Sequence, residues 1–90
     1  MNQTLLVVKS HTAILACEYL AADVKINRKW TKDGARLRSS SNRIWTVKDE
    51  LRIRDTNAGD AGNYTCFIRR GEREERVDYP VIIQGDVLSF

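Results

Sequence analysis

The heptapeptide Asp60-Ala61-Gly62-Asn63-Tyr64-Thr65-Cys66 holds the most informative spacing in this chain, Asp-x-Gly-x-Tyr-x-Cys. Over residues 63–69 the side chains alternate, with Tyr64, Cys66 and Ile68 on one face and Thr65, Phe67 and Arg69 on the other. A period of two is the mark of a half-buried strand. Residues 57–62, with two Gly, an Asn and an Asp, read as the turn leading into it. Beyond it, Arg70-Gly71-Glu72 can close a hairpin with Gly71 at positive φ. The returning strand covers residues 77–83. It places Val77, Tyr79, Val81 and Ile83 on one side, and Pro80 marks an edge position or a bulge.

Upstream of the heptapeptide, residues 51–55 put Leu51 and Ile53 inward with Arg52 and Arg54 outward. Residues 12–19 give another strand with Ala13, Leu15, Cys17 and Tyr19 on one side, although Ile14 on the other side blurs the alternation. Cys17 and Cys66 stand 49 positions apart, each on the inward face of an expected strand. Trp30 follows Cys17 by 13 residues, just before the turn signal Lys32-Asp33-Gly34, and residues 39–42 read as a loop. No segment of ten or more residues carries a helical apolar stripe. Short strands with a turn signal every 8 to 12 residues or so predict a β-sandwich. Internal repeats, low-complexity stretches and interdomain linkers are lacking.

Ninety residues, 42% hydrophobic and 30% charged, suit one small domain. No apolar run approaches the roughly 20 residues of a membrane span, so direct membrane insertion is not expected. The N-terminus lacks the basic-then-apolar layout of a signal peptide. One His and two Cys do not suffice for a multi-Cys/His zinc site or for catalysis built on several histidines. Neither a metal nor a cofactor is implied, and an enzyme is not expected. The net charge of +3 is mild but unevenly spread. Residues 25–54 carry ten Lys and Arg against three acids, a net of +7, whereas residues 55–90 carry four Arg against seven acids, a net of −3.

With Cys17, Trp30, Leu51 and Asp-x-Gly-x-Tyr-x-Cys in that order, the chain closely resembles an immunoglobulin domain, intermediate-set-like, along essentially its whole length. The run Trp30-Thr31-Lys32-Asp33-Gly34 and the single short segment between Trp30 and Leu51 favour that set over the longer variable type. The resemblance implies an all-β fold, an immunoglobulin-like two-sheet Greek-key sandwich. It makes residues 1–90 one domain, with 1–3 and 84–90 peripheral or linking. It also implies a Cys17–Cys66 disulfide between the sheets; closing a loop of about 50 residues is worth roughly 4 kcal/mol in the chain-entropy model. A buried reduced pair, as in intracellular muscle-type domains, and a metal or redox role are the competing readings. By the same resemblance Trp30 packs on the disulfide, Leu51 joins the core and the Tyr64 hydroxyl bonds back to the preceding turn. Asp60 then accepts a bond from a base at the start of a neighbouring strand, Arg43, and Gly62 supplies backbone freedom.

One position departs from the family pattern. Two residues before the Trp, where an apolar residue is usual, stands Arg28. Either Arg28 snorkels from the edge of the core, or the register slips through residues 20–27 so that Ile26 or Val24 fills the site. Trp45, alternating with Val47, is expected in the core.

These features point to a non-catalytic protein-binding or adhesion module of a larger extracellular or cell-surface protein of the receptor, adhesion or guidance type. Its expected partner is another immunoglobulin-like or extracellular domain, with neighbouring domains of its own parent chain. The alternatives are an intracellular cytoskeletal or sarcomeric spacer, which would place it in the cytoplasm, and a glycosaminoglycan-binding domain. Two Asn-x-Ser/Thr acceptors, Asn2 and Asn63, tilt the location toward the extracellular side. Alternation puts Lys29, Thr31, Thr65, Phe67 and Arg69 on an outward sheet face, where Phe67 stands out as a large apolar side chain. Lys29, Lys32, Arg36, Arg38 and Arg43 on one side, and Arg69, Arg70, Arg73 and Arg76 on the hairpin, could merge into one surface for a sulfated glycosaminoglycan or an acidic protein. Because Glu72, Glu74, Glu75 and Asp78 interleave with those arginines, a cross-strand ladder of solvated ion pairs is the competing expectation. Nucleic acid is not expected, since no stacking aromatics are interleaved with the basic residues. His11 is assigned no role, and Arg70-Gly71-Glu72 needs only its turn function.

Overall fold

The computed structural model describes residues 4–17, 27–37 and 42–85. Among the described residues eight strands run in chain order: β1 (Leu5–Val8), β2 (Ala13–Ala16), β3 (Asn27–Lys32), β4 (Ala35–Arg36), β5 (Ile44–Val47), β6 (Glu50–Ile53), β7 (Gly62–Arg70) and β8 (Arg73–Gln84). A single 3₁₀ turn, Ala58–Asp60, precedes β7. The strands form a five-stranded sheet in the order β1-β8-β7-β3-β4 and a three-stranded sheet in the order β2-β6-β5. β1 lies parallel to β8, which closes one edge with chain segments from opposite ends of the sequence.

The turns follow from local chemistry. Asp33 and Gly34, at φ +50° and +85°, make the two-residue link between β3 and β4, and a tight hairpin of this kind wants positive φ at both positions. Gly71, at φ +61°, turns the β7–β8 hairpin so that Arg70 faces Arg73. Pro80 is the last residue before β8 takes up β1 as a second neighbour, so it stands where that edge of β8 is open. This is the edge position anticipated from its missing N–H.

The core forms where the inward faces meet. Val7, Trp30, Tyr64, Cys66, Ile68 and Val81 come from the larger sheet, and Ala13, Leu15, Cys17, Leu51 and Ile53 from the smaller sheet or its end. Cys17 and Cys66 are joined, with their Cα atoms 6.3 Å apart and no exposed surface, and Trp30 is the cross-strand partner of Cys66. The Tyr79 hydroxyl donates to the Ala16 carbonyl, a second link between the sheets, and its ring lies 6.2 Å from that of Trp30.

Two local expectations resolve here. Arg28 keeps its place two residues before Trp30 and opposite Ile68, so the register does not slip. Its side chain stays exposed while Nε donates to the Cys17 carbonyl at 3.1 Å, which anchors the rim of the core beside the disulfide. Val24 and Ile26 lie outside the described residues. The expectation for Trp45 is overturned. Ile44 faces Ile53 and packs against the core, so Trp45, one position on, faces Arg52 on the outside of the sheet. Ile44 and Trp45 offered apolar residues in both phases, and the pairing with β6 selects Ile44 for the interior.

Candidate functional site

One end of the sandwich is fixed by a network around the heptapeptide. The Asn57 side chain accepts from the Gly59 N–H at 2.8 Å and the Asp60 carboxylate accepts from the Asn57 N–H at 2.9 Å, a reciprocal cap. Arg43 donates to both Asp60 oxygens, at 2.7 and 3.0 Å, and the Tyr64 hydroxyl donates to the Asp60 carbonyl at 2.7 Å. Arg43 lies just before β5 in the small sheet, while Asp60 leads into β7 in the large one, so this pair ties the sheets together. Burial pushes the Asp60 carboxyl up, but the Arg43 and Asn57 hydrogen bonds and the positive charges of Arg43 and Lys32 outweigh it and hold the group below its ordinary value. The Arg43 guanidinium is held above its ordinary value, chiefly by its hydrogen bond to Asp60. Burial, with the charges of Asp60 and Asp33, pushes the Tyr64 phenol up to about 12. Gly62, at φ +153°, is required: an added Cβ would sit 2.6 Å from an Asp33 carboxylate oxygen. All of these groups are structural.

The outer face of the five-stranded sheet is set by register. Arg36, Thr31, Thr65 and Asp78 lie in one row across β4, β3, β7 and β8. Lys29, Phe67 and Arg76 make the next row, and Arg69 and Glu74 the one after. The Lys29 ammonium stands 5.2 Å from the centre of the half-buried Phe67 ring, a cation–π contact that covers much of what looked like a lone apolar side chain. Thr31 and Thr65 are buried within their row. Thr65 Oγ1 donates to Asp78 at 2.6 Å, and Arg76 lies 3.6 Å from the same carboxylate.

Several of the basic residues expected on this face are elsewhere. Lys32 turns to the other side of β3, with its ammonium 5.8 Å from the centre of the buried Tyr64 ring and donating to the Gly59 carbonyl. Arg43 is committed to Asp60. The Arg70 side chain and the whole of Arg38 and Asn2 lie outside what is described. The expected ladder of cross-strand ion pairs is not found among the described side chains. On the hairpin Arg76 pairs with Asp78 on its own strand, and the register sets Phe67 opposite Arg76 and Ile68 opposite Glu75. Although it also sets Arg69 opposite Glu74, those two form no ion pair among the described residues.

Toward its β1 edge the outer face of the five-stranded sheet carries the paired Leu6 and Ile82, 58% and 49% exposed. The outer face of the three-stranded sheet is also partly apolar. Ile14, Arg52 and Trp45 form one row and Ala16, Glu50 and Val47 the next. Ile14 is 48% and Val47 37% exposed, and Glu50 pairs with Arg52 at 2.8 Å in the middle. Sequence reasoning missed this surface; Ile14 breaking the inward alternation of β2 was its visible signal.

Among the described residues no three His, Cys, Asp or Glu side chains gather as metal ligands. A cleft between Arg28, Trp30, Leu37 and Ile44 holds about 130 Å³, well under the roughly 300–1,000 Å³ usual for small-molecule sites.

Comparison with known proteins places these features in context. The sequence model of a family described as "Immunoglobulin domain" matches residues 1–69. The chain is 34% identical over 58 residues to fibroblast growth factor receptor-like 1 of Mus musculus, covering 64% of this chain and 11% of that protein. It is 36% identical over 84 residues to leucine-rich repeat and fibronectin type-III domain-containing protein 4 of Rattus norvegicus, covering 90% of this chain and 13% of that protein. The chain therefore spans only a small part of these relatives. In fold it superposes on the Sidekick-1 immunoglobulin domains 1–4 with a TM-score of 0.83 at 21% identity, covering 100% of this chain and 24% of that one.

Proposed function

The chain belongs to the immunoglobulin domain family, and from that premise we propose that it is a non-catalytic protein-binding and adhesion module of the intermediate set, part of a larger extracellular or cell-surface protein. The observation that carries the binding role is the apolar surface of the partly exposed Ile14 and Val47 and the half-buried Trp45 around the Glu50–Arg52 pair. A protein interface draws on apolar and aromatic anchors ringed by polar groups, and this face supplies both. The partner is another extracellular domain, immunoglobulin-like or a neighbour in the same parent chain. Likeness to receptor-type relatives supports the extracellular placement, as does the buried disulfide, since such bonds persist in oxidising compartments. A glycan on Asn63 belongs to the same proposal. Its side chain is exposed at the start of β7, and it fits a secreted or membrane-anchored ectodomain.

The test is a binding screen of the disulfide-bonded domain against recombinant cell-surface ectodomains, the domain itself included. Hits are repeated with an Ile14→Lys/Val47→Lys variant. Both side chains are partly exposed and point away from the core, so the variant should melt within a few degrees of the parent and lose at least about tenfold in affinity. A variant that binds as the parent does would overturn this face as the interface.

A further inference from the structure

We propose that the outer face of the five-stranded sheet is a binding site for a sulfated polysaccharide, engaged by Arg36, Lys29, Arg69 and Arg76 around Phe67. Each of the four cations is exposed, and cross-strand register, not proximity in sequence, brings them together. They occupy four adjacent strands, a width of about 14 Å at the usual strand spacing. Two acids share the face, and they are not equivalent. The Asp78 side chain is only 14% exposed, accepts from the Thr65 hydroxyl and lies against Arg76. Glu74 is then the exposed acid of this band, and with Arg76 set against Asp78 the four cations exceed the two acids by two. Arg36 and Arg69 form no ion pair among the described residues, so their guanidinium groups retain donors for an incoming anion.

The geometry suits a polymer carrying closely spaced sulfates and carboxylates. Cations spread over that width meet successive anionic groups of one chain, whereas a single carboxylate would engage only one of them. A protein partner of ordinary size needs an apolar centre. Within this band the apolar contribution is one phenyl ring, already capped by Lys29, and the exposed Leu6 and Ile82 lie beyond it toward the far end of the sheet. The same cap removes the open aromatic platform on which single-stranded nucleic acids stack. Sulfates take paired N–H donors from arginine, and displacement of counterions makes such binding steeply dependent on salt. The inference is independent of the protein-binding face, which lies on the opposite sheet.

The experiment uses the intact disulfide-bonded domain and a heparin oligosaccharide as the probe, with calorimetry at several salt concentrations. Affinity should fall steeply with salt, and chemically desulfated heparin should bind far more weakly. A Lys29→Gln/Arg69→Gln/Arg76→Gln variant should lose about tenfold or more. A variant with the same change in charge elsewhere, Lys9→Gln/Lys48→Gln/Arg54→Gln, should stay within about twofold. Circular dichroism melts establish that both variants fold. Equal losses in the two variants would reduce the effect to net charge and overturn the site. So would poly-glutamate or a single-stranded oligonucleotide binding as tightly as the heparin probe.

Discussion

The two outer faces of this sandwich are built on the same core and differ at their centres. Each carries exposed apolar residues, Leu6 and Ile82 on the larger sheet and Ile14 and Val47 on the smaller. On the larger sheet Arg36, Lys29, Arg69 and Arg76 surround one half-covered phenyl ring. On the smaller sheet Ile14, Trp45 and Val47 surround one ion pair. In a strand every second residue is spoken for by the core, and the residues between are free to differ. The two binding roles proposed above therefore rest on the outward positions, over a core that the inward positions fill. Ties across the layers include the Cys17–Cys66 bond, the Arg43–Asp60 pair and the hydrogen bonds Tyr79–Ala16 and Arg28–Cys17.

The strongest way to break the contrast is to remove the tie beneath both faces. A Cys17→Ala/Cys66→Ala variant should lose roughly 4 kcal/mol, measured by urea unfolding as a lower midpoint and a steeper slope, since the unbridged denatured chain exposes more surface. For a domain this small that is a large share of total stability, so both faces should fail together. Binding retained by both would show that neither depends on the locked scaffold.

A smaller and reversible effect comes from pH. Asp60 titrates below its ordinary value in the fold. Its contribution is therefore complete above the unfolded pKa near 4 and is lost as pH falls through the lower folded value. Tyr64, raised to about 12, works in the opposite direction. Its contribution is complete below about 10 and is lost as pH climbs from there toward 12. Stability measured against pH should show both limbs. Asp60→Asn should flatten the acid limb at a cost of about 2 kcal/mol at neutral pH, and Tyr64→Phe should flatten the alkaline one. An acid limb that persists unchanged in Asp60→Asn would move the titrating group elsewhere.

The smallest effect sharpens the comparison most. Ile14→Thr/Val47→Thr changes only the outward phase of the smaller sheet and should leave unfolding free energy within about 0.5 kcal/mol of the parent. Its heparin affinity should match the parent's. A change in heparin binding would mean that the faces communicate through the core.

Much of the fold could be read from the chain because its strongest signals are local. Tyr64, Cys66 and Ile68 alternate within β7, the turn residues before it prefer their conformations without help, and the Arg43–Asp60 contact follows from the family resemblance. The surfaces were less legible. Lys32 and Lys29 are close in sequence, yet an odd separation sends their side chains to opposite sides of β3, one to Tyr64 and one to Phe67. Trp45 looked like a core residue because hydrophobicity on β5 appears in both phases, and only pairing with Ile53 resolves which phase is buried. Nothing in the residues around Asp78 reveals that Thr65 and Arg76 take up its charge.

The sequence by itself determined most of the inward half of this protein: which side chains of β2, β6, β7 and β8 alternate into the core, where the chain turns, and which pair of cysteines can staple it. Those outcomes rest on short-range periodicity and on the low conformational freedom of a strand. The tertiary structure alone decided the outward half. Lys29 meets Phe67, and Phe67 meets Arg76, only when strands distant along the chain lock into one register. That register is fixed by burying the opposite faces, so the surface is a consequence of how the core packs.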